Sequence, residues 1–292
     1  MKAYQINDLE RLTGIKAHTI RIWEKRYGLI SPNRTDTNRR YYDDDQVKRL
    51  LNVATLVASG HKISKIAAYS DGQLHEYIEA AENYGDASSS NTAFVNDMIS
   101  SMLVFDEAAF EKVFSAAVLR MGFYETVVNV VYPFLIKTGV LWTTDKSVPA
   151  QEHFASCIIR RKLMAATDGL LPATNTSRCF LLFLPPSEWH EVGLMFTNYI
   201  IRANGFPTVY LGQNVPTEGV AQVWASGKPT HLLTFFTAPR PDEEISFLLR
   251  SYSRVAASGT LLAAVADHSR LKLKMGNLSF LDGISSLDKW LK

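Results

Sequence analysis

Four continuous apolar runs near the C-terminus constrain the fold more than any other feature of the chain. Cys179-Phe180-Leu181-Leu182-Phe183-Leu184 is apolar throughout, and comparable runs recur at residues 208–211, 232–236 and 260–266. A strand without a polar face is buried on both sides, as strands of a parallel sheet covered by helices are. Segments of helical character separate the runs, over about 190–204, 218–226 and 242–257. This alternation predicts a doubly wound parallel sheet across residues 175–292.

The preceding residues, 93–174, carry helical periodicity throughout. Val95, Met98, Ile99, Met102 and Leu103 make one apolar face; Phe110, Val113, Phe114 and Ala117 make the next. Val127, Val130, Val131 and Phe134 make a third face, and residues 154–163 a fourth. Four such helices with short connections predict a bundle. The small polar stretch Gly85-Asp86-Ala87-Ser88-Ser89-Ser90-Asn91 reads as part of a linker over 76–92.

The first 75 residues form a separate unit of short elements. Ile6, Leu9 and Leu12 recur at helical spacing, and Gly14 can end that helix. Residues 17–27 make a second amphipathic segment, with Thr19 near its start and Ile20, Ile22 and Trp23 as buried candidates. Ser31-Pro32-Asn33 and Thr35-Asp36-Thr37-Asn38 are turn-rich, and Tyr41-Tyr42 follows as a short strand. Asp43-Asp44-Asp45 then places acids at the positive end of a helix running to about Gly60. A net charge of +2 hides an asymmetry: residues 1–70 hold 13 Lys or Arg against 7 Asp or Glu, the remainder 18 against 22. A compact basic patch on a small N-terminal unit is the footprint expected for a phosphate backbone.

Two short helices, a Gly-containing turn and a basic hairpin spell a winged helix-turn-helix. The residues Ile6-Asn7-Asp8-Leu9-Glu10, Thr19-Ile20-Arg21-Ile22-Trp23-Glu24-Lys25-Arg26-Tyr27-Gly28-Leu29, Pro32-Asn33-Arg34 and Asn38-Arg39-Arg40-Tyr41-Tyr42 resemble the head of MerR-type regulators. The resemblance covers about a quarter of the chain. It implies that the second helix enters the major groove of double-stranded operator DNA. Arg21 is placed to read guanine edges or clamp a phosphate, and Thr19, Lys25 and Tyr27 to fix register. Arg34, Arg39, Arg40 and Tyr41 would grip the flanking backbone from the wing, while Trp23 reads as core. The family implies a homo-oligomer, dimer or tetramer, and RNA polymerase as a further partner.

Glu188-Trp189-His190-Glu191-Val192-Gly193 follows the first predicted strand, at the sheet edge where open α/β sheets bind ligands. There one imidazole nitrogen can reach a metal while a carboxylate two residues earlier holds the other. The spacing resembles the Asp/Glu-x-His-x-x-Gly signature of cobalamin-binding domains, in which His190 would ligate cobalt and Gly193 admit the nucleotide tail. Upstream, Trp142 is followed after nine residues by Glu152-His153, a pattern similar to the helical cap of CarH/LitR-type photoreceptor regulators. The whole order matches that family: winged helix-turn-helix head, four-helix bundle, flavodoxin-like α/β domain. The resemblance implies adenosylcobalamin between bundle and sheet, with Trp142 over its upper group, Glu152 and His153 nearby, and light as the signal.

The chain departs from the pattern in two places. Thr234-Phe235-Phe236 stands where Ser-x-Leu is usual, with Thr234 keeping a hydroxyl, and Ala263-Ala264 replaces a Gly-Gly pair. The second reading is therefore a MerR-type regulator whose cobalamin-like domain has lost its cofactor and serves as an oligomerisation or interaction module. A corrinoid methyl carrier is a third reading, opposed by the DNA-binding head. Glu152 is equally placed to pair with Arg160 or Arg161, and His153 to cap its helix. There is no Gly-x-Gly-x-x-Gly after a strand, no phosphate-binding Gly-x-x-x-x-Gly-Lys and no nucleophile elbow, so no enzyme activity is expected. With two cysteines, no uncharged run of about 18 apolar residues and no signal peptide, a cytoplasmic, soluble protein is expected.

Overall fold

The computed structural model describes residues 4–35, 38–58, 60–74, 76–77, 87–142 and 149–292, the side chains of 87–89, 140–142 and 149 excepted. The chain divides into two compact units, Met1–Ile158 and Ile159–Lys292.

The first unit opens with α1 (Ile6–Thr13) and α2 (Ala17–Tyr27), joined through Gly14, whose φ of 74° is a conformation that favours glycine. Asp8 accepts a hydrogen bond from the Gln5 backbone N–H (2.7 Å), which fixes the first turn of α1. The wing pairs β1 (Asn33–Arg34) with β2 (Arg40–Tyr41) antiparallel, and a bridge between Tyr4 and Tyr42 ties it to the N-terminus. Tyr42 is wholly buried, its hydroxyl donating to Glu24 of α2. Next comes α3 (Asp44–Ala58), where Asp43 and Gln46 cap each other reciprocally at 3.0 Å, and then α4 (Ile63–Ile66).

Of the predicted buried trio on α2, Ile20 and Trp23 are core, but Ile22 is 52% exposed. At 3.6 residues per turn Ile22 lies about 200° from Ile20, so the two cannot share a face.

The bundle comprises α5 (Ala87–Leu103), α6 (Glu107–Met121), a third rod, and α9 (Pro149–Asp168). The third rod is α7 (Phe123–Thr126), a π-helical turn over Val127–Val131, and α8 (Tyr132–Trp142). Helix α5 already begins at Ala87, inside the stretch expected as linker; residues 78–86 lie outside the described residues. Phe110 and Phe134 meet edge to face in the core, with centroids 5.6 Å apart. Head and bundle share a buried polar chain: Asn96 of α5 donates to Thr55 of α3 (2.8 Å) and accepts from Lys137 of α8 (3.2 Å). Burial lowers the pKa of Lys137.

In the second unit β3 (Phe180–Phe183), β4 (Thr208–Gly212), β5 (His231–Phe236), β6 (Thr260–Val265) and β7 (Leu278–Phe280) form one parallel sheet in the order β4-β3-β5-β6-β7. Crossovers α10 (Val192–Ala203), α11 (Thr217–Ala225) and α12 (Asp242–Val255) join them. This is the flavodoxin-like order, whose switch point falls between β3 and β5. The edge strand β7, only three residues long, is absent from the sequence reading because a run that short carries no periodic signal. One sheet face packs Leu181, Phe183, Leu232, Phe236, Leu261 and Ala263 against Ile245, Leu248, Leu249 and Tyr252 of α12. Gly259 has no room for a side chain: a Cβ there would sit 2.5 Å from the Thr230 carbonyl oxygen.

Candidate functional site

Several cationic side chains of the head are exposed, and three of them, Arg21, Arg39 and Arg40, border one hollow. Arg21, Lys25 and Arg26 project from the exposed face of α2, and Arg34, Arg39 and Arg40 are exposed on the wing. Thr19, Tyr27 and Tyr41 are half-buried at the margins of the same elements. Gln5, Ile6, Arg21, Arg39, Arg40 and Tyr42 line a concavity of about 420 Å³ at the N-terminus of α1. Three guanidinium groups around one hollow suit a phosphate, which accepts paired N–H donors. Trp23 is only 9% exposed and is core.

The second site is built by loops at the carboxyl ends of β3, β4 and β5. Leaving β3, the chain turns through Ser187, whose N–H donates to Asn214 Oδ1 (2.8 Å), and Asn214 in turn donates its N–H to the Glu188 carbonyl (3.1 Å). Glu188 is completely buried, yet saturated. Its Oε2 accepts the backbone N–H groups of Thr237 (2.9 Å) and Ala238 (2.8 Å), and Oε1 those of Trp189 (3.1 Å) and His190 (3.2 Å). Oε1 also lies 2.6 Å from Nδ1 of His190. Burial alone would raise the pKa of this carboxyl, but hydrogen bonds from the His190 side chain and from the backbone of Ala238, His190 and Thr237 outweigh it and hold it at about 2. The imidazole is 53% exposed, in the loop before α10. With Nδ1 held by the carboxylate, a metal ligand at this position would have to be Nε2.

Residues beside this pair report on what else the site accommodates. Glu191, the residue after His190, accepts from Arg160 of α9 at 3.1 Å. Arg160, one of the two arginines weighed as a partner for Glu152, thus pairs with Glu191. Strand register places Thr234 beside Phe183 and Ala263, on the face packed against α12. Its Oγ1 is buried with no hydrogen-bond partner among the described residues. The opposite face carries Phe235, whose ring lies 3.6 Å from the position a Cβ on Gly193 would take, and Ala264 is its register neighbour. Alternate residues of a strand point to opposite faces, so Thr234 and Phe235 do not share one.

Comparison with known proteins follows the same division. Residues 4–73 match the family described as MerR HTH family regulatory protein, and residues 95–166 match a B12 binding domain. The HTH-type transcriptional repressor CarH of Myxococcus xanthus is 28% identical over 248 residues, covering 83% of this chain and 82% of the relative. CarA of the same organism, also an HTH-type transcriptional repressor, is 29% identical over 256 residues, covering 87% and 83%. The chain is similar to both repressors over most of its length. The HTH-type transcriptional regulator MlrA of Escherichia coli matches the head alone, 33% identical over 66 residues, 23% of this chain and 27% of MlrA. Among solved structures, the monomethylamine corrinoid protein of Methanosarcina barkeri aligns over 69% of this chain and 98% of that one, at 14% identity and a TM-score of 0.49.

The residues of this chain can be tested against the cofactor that the B12 binding domain match implies. Among the described residues no three His, Cys, Asp or Glu side chains converge as a metal cage. A single oriented imidazole instead suits a metal that brings its own equatorial ring, and His190 fits that requirement. The position beside Gly193 is taken by Phe235, so a nucleotide tail entering there has to displace that ring. Trp142 closes α8, with its side chain outside the described residues. Glu152 is half-buried and His153 exposed in the first turns of α9. No helix among the described residues is long and apolar enough to cross a membrane.

Proposed function

We propose that this chain is a DNA-binding transcriptional regulator, cytoplasmic and homo-oligomeric, that senses adenosylcobalamin and through it light. The observation that carries the sensor half is the Glu188–His190 pair at the switch point of the sheet. The buried carboxylate sets the imidazole's direction, so Nε2 of His190 would be the nitrogen that holds the cobalt. Bound adenosylcobalamin would supply a photolabile cobalt–carbon bond, while the protein supplies ligation and position. On the bundle, Trp142, Glu152 and His153 remain proposed as cofactor-binding residues. Dimeric or tetrameric assembly and contact with RNA polymerase belong to the same proposal.

For the head, the shared concavity supports Arg21, Arg39 and Arg40 as phosphate clamps. Thr19, Lys25, Tyr27, Arg34 and Tyr41 are proposed for the remaining DNA contacts. Homology to proteins named as repressors supports regulation rather than catalysis. The test is an absorption spectrum of the full-length protein mixed with adenosylcobalamin in darkness, desalted and then illuminated, beside His190→Ala. Retained colour that requires His190 and changes on illumination supports the reading; a colourless protein overturns its sensor half.

One observation favours the second reading, a sensor fold without cofactor. Phe235 packs on Gly193 with Ala264 alongside, so the proposed tail slot is filled by the protein's own side chain. Desalting separates the two readings, because a closed slot retains no corrinoid.

A further inference from the structure

We infer that Ile22 is a specificity residue that reads the methyl group of a thymine in the major groove; the inference rests on the DNA-binding role of the head. The outward surface of α2 carries His18, Arg21, Lys25 and Arg26, all exposed. Ile22 stands among them, 52% exposed, while Ile20 and Trp23 fill the core side of the helix. At 100° per residue Ile22 falls between His18 and Arg26, near the centre of the outward face. Isolated exposed hydrophobics are ordinary on protein surfaces. This one, however, is centred on the helix that the winged helix-turn-helix architecture directs into the groove, surrounded by bases that favour phosphate. A β-branched residue adds nothing to helix stability there.

The chemistry of the groove selects the partner. The C5-methyl of thymine is the apolar group among the major-groove donors and acceptors, and apolar side chains contact it. Arg21 shares its hollow with Arg39 and Arg40, a setting that suits a phosphate, and its exposed neighbours on α2 are His18, Ile22, Lys25 and Arg26. Ile22 is the apolar one. Burying one methyl group against it is worth about four-fold in affinity.

The experiment uses the full-length protein and operators selected from a random duplex library. Each thymine of the selected sequence is replaced in turn by deoxyuridine, which lacks only the methyl, and binding is measured for wild type and Ile22→Ala. The expected result is one thymine per half-site whose methyl is worth about four-fold to wild type and nothing to Ile22→Ala, with the salt slope of the two proteins equal. Because the side chain is exposed, the variant should keep the wild-type melting temperature, which is checked alongside. Wild-type indifference to every deoxyuridine, or an undiminished penalty in Ile22→Ala, overturns the inference while leaving DNA binding intact. A selection that enriches no duplex overturns the DNA-binding reading itself, and this inference with it.

Discussion

Glu188 and His190, two residues apart in sequence, form a fixed pair in which Oε1 lies 2.6 Å from Nδ1. The carboxylate is inaccessible and the imidazole half exposed, so charge sits inside and the donor faces out. The arrangement separates two tasks, orientation and ligation, onto two side chains.

Replacing Glu188 by Gln should therefore lower the affinity for added cobalamin ten- to a hundred-fold, because the ring loses the partner that sets its tautomer. His190→Ala should abolish retention after desalting. Titration followed by visible absorbance measures both; equal affinity of Glu188→Gln and wild type would remove the carboxylate from the site.

Acid should weaken the α/β unit in two separate windows. His231 is buried against Phe180 and Trp290, and burial, aided by the charge of Arg178, depresses its pKa to about 4. The folded state thus resists protonation that the unfolded chain accepts below about 6.5. Its contribution is complete above that value and lost as pH falls through about 4. The depressed Glu188 carboxyl acts next, with stabilisation complete above about 4.3 and lost as pH falls through about 2. Urea unfolding at a series of pH values should show both slopes, and His231→Phe should flatten the first alone.

Arg21 and Arg39 border the same concavity and should behave alike. Each Ala variant is expected to weaken binding on every sequence and to reduce the salt slope by about one. Binding isotherms at several salt concentrations decide the matter: a loss confined to the selected operator would return Arg21 to base reading.

Phe235→Ala should increase affinity for cobalamin relative to wild type, because the ring against Gly193 no longer has to move. Cobinamide, a corrinoid without the nucleotide tail, should bind both proteins equally. A matched gain for the two ligands would place the tail elsewhere.

Much of the architecture was legible in the chain. The apolar runs of β3 and β5 announced a parallel sheet because both of its faces are covered, and the strands occupy those positions. The order of elements in the head followed from Gly14, the wing turns and the acids before α3. Ile22 was misplaced. Over so short a helix or strand an apolar residue can belong to the core or to a recognition surface, and composition does not distinguish them. The pairing of Arg160 with Glu191 joins residues 31 positions apart and leaves no local signature.

Thr234 marks the boundary between the two kinds of information. Sequence alone determined that residues 232–236 form a buried strand and that Glu188-x-His190 sits at its neighbour's carboxyl end. It did not determine which face Thr234 takes, because a strand apolar on both sides has no alternation to count. Only its register, beside Phe183 on one side and Ala263 on the other, turns it toward α12 and leaves Phe235 facing Gly193. Periodicity records how an element meets water; where it meets only protein, the neighbours decide.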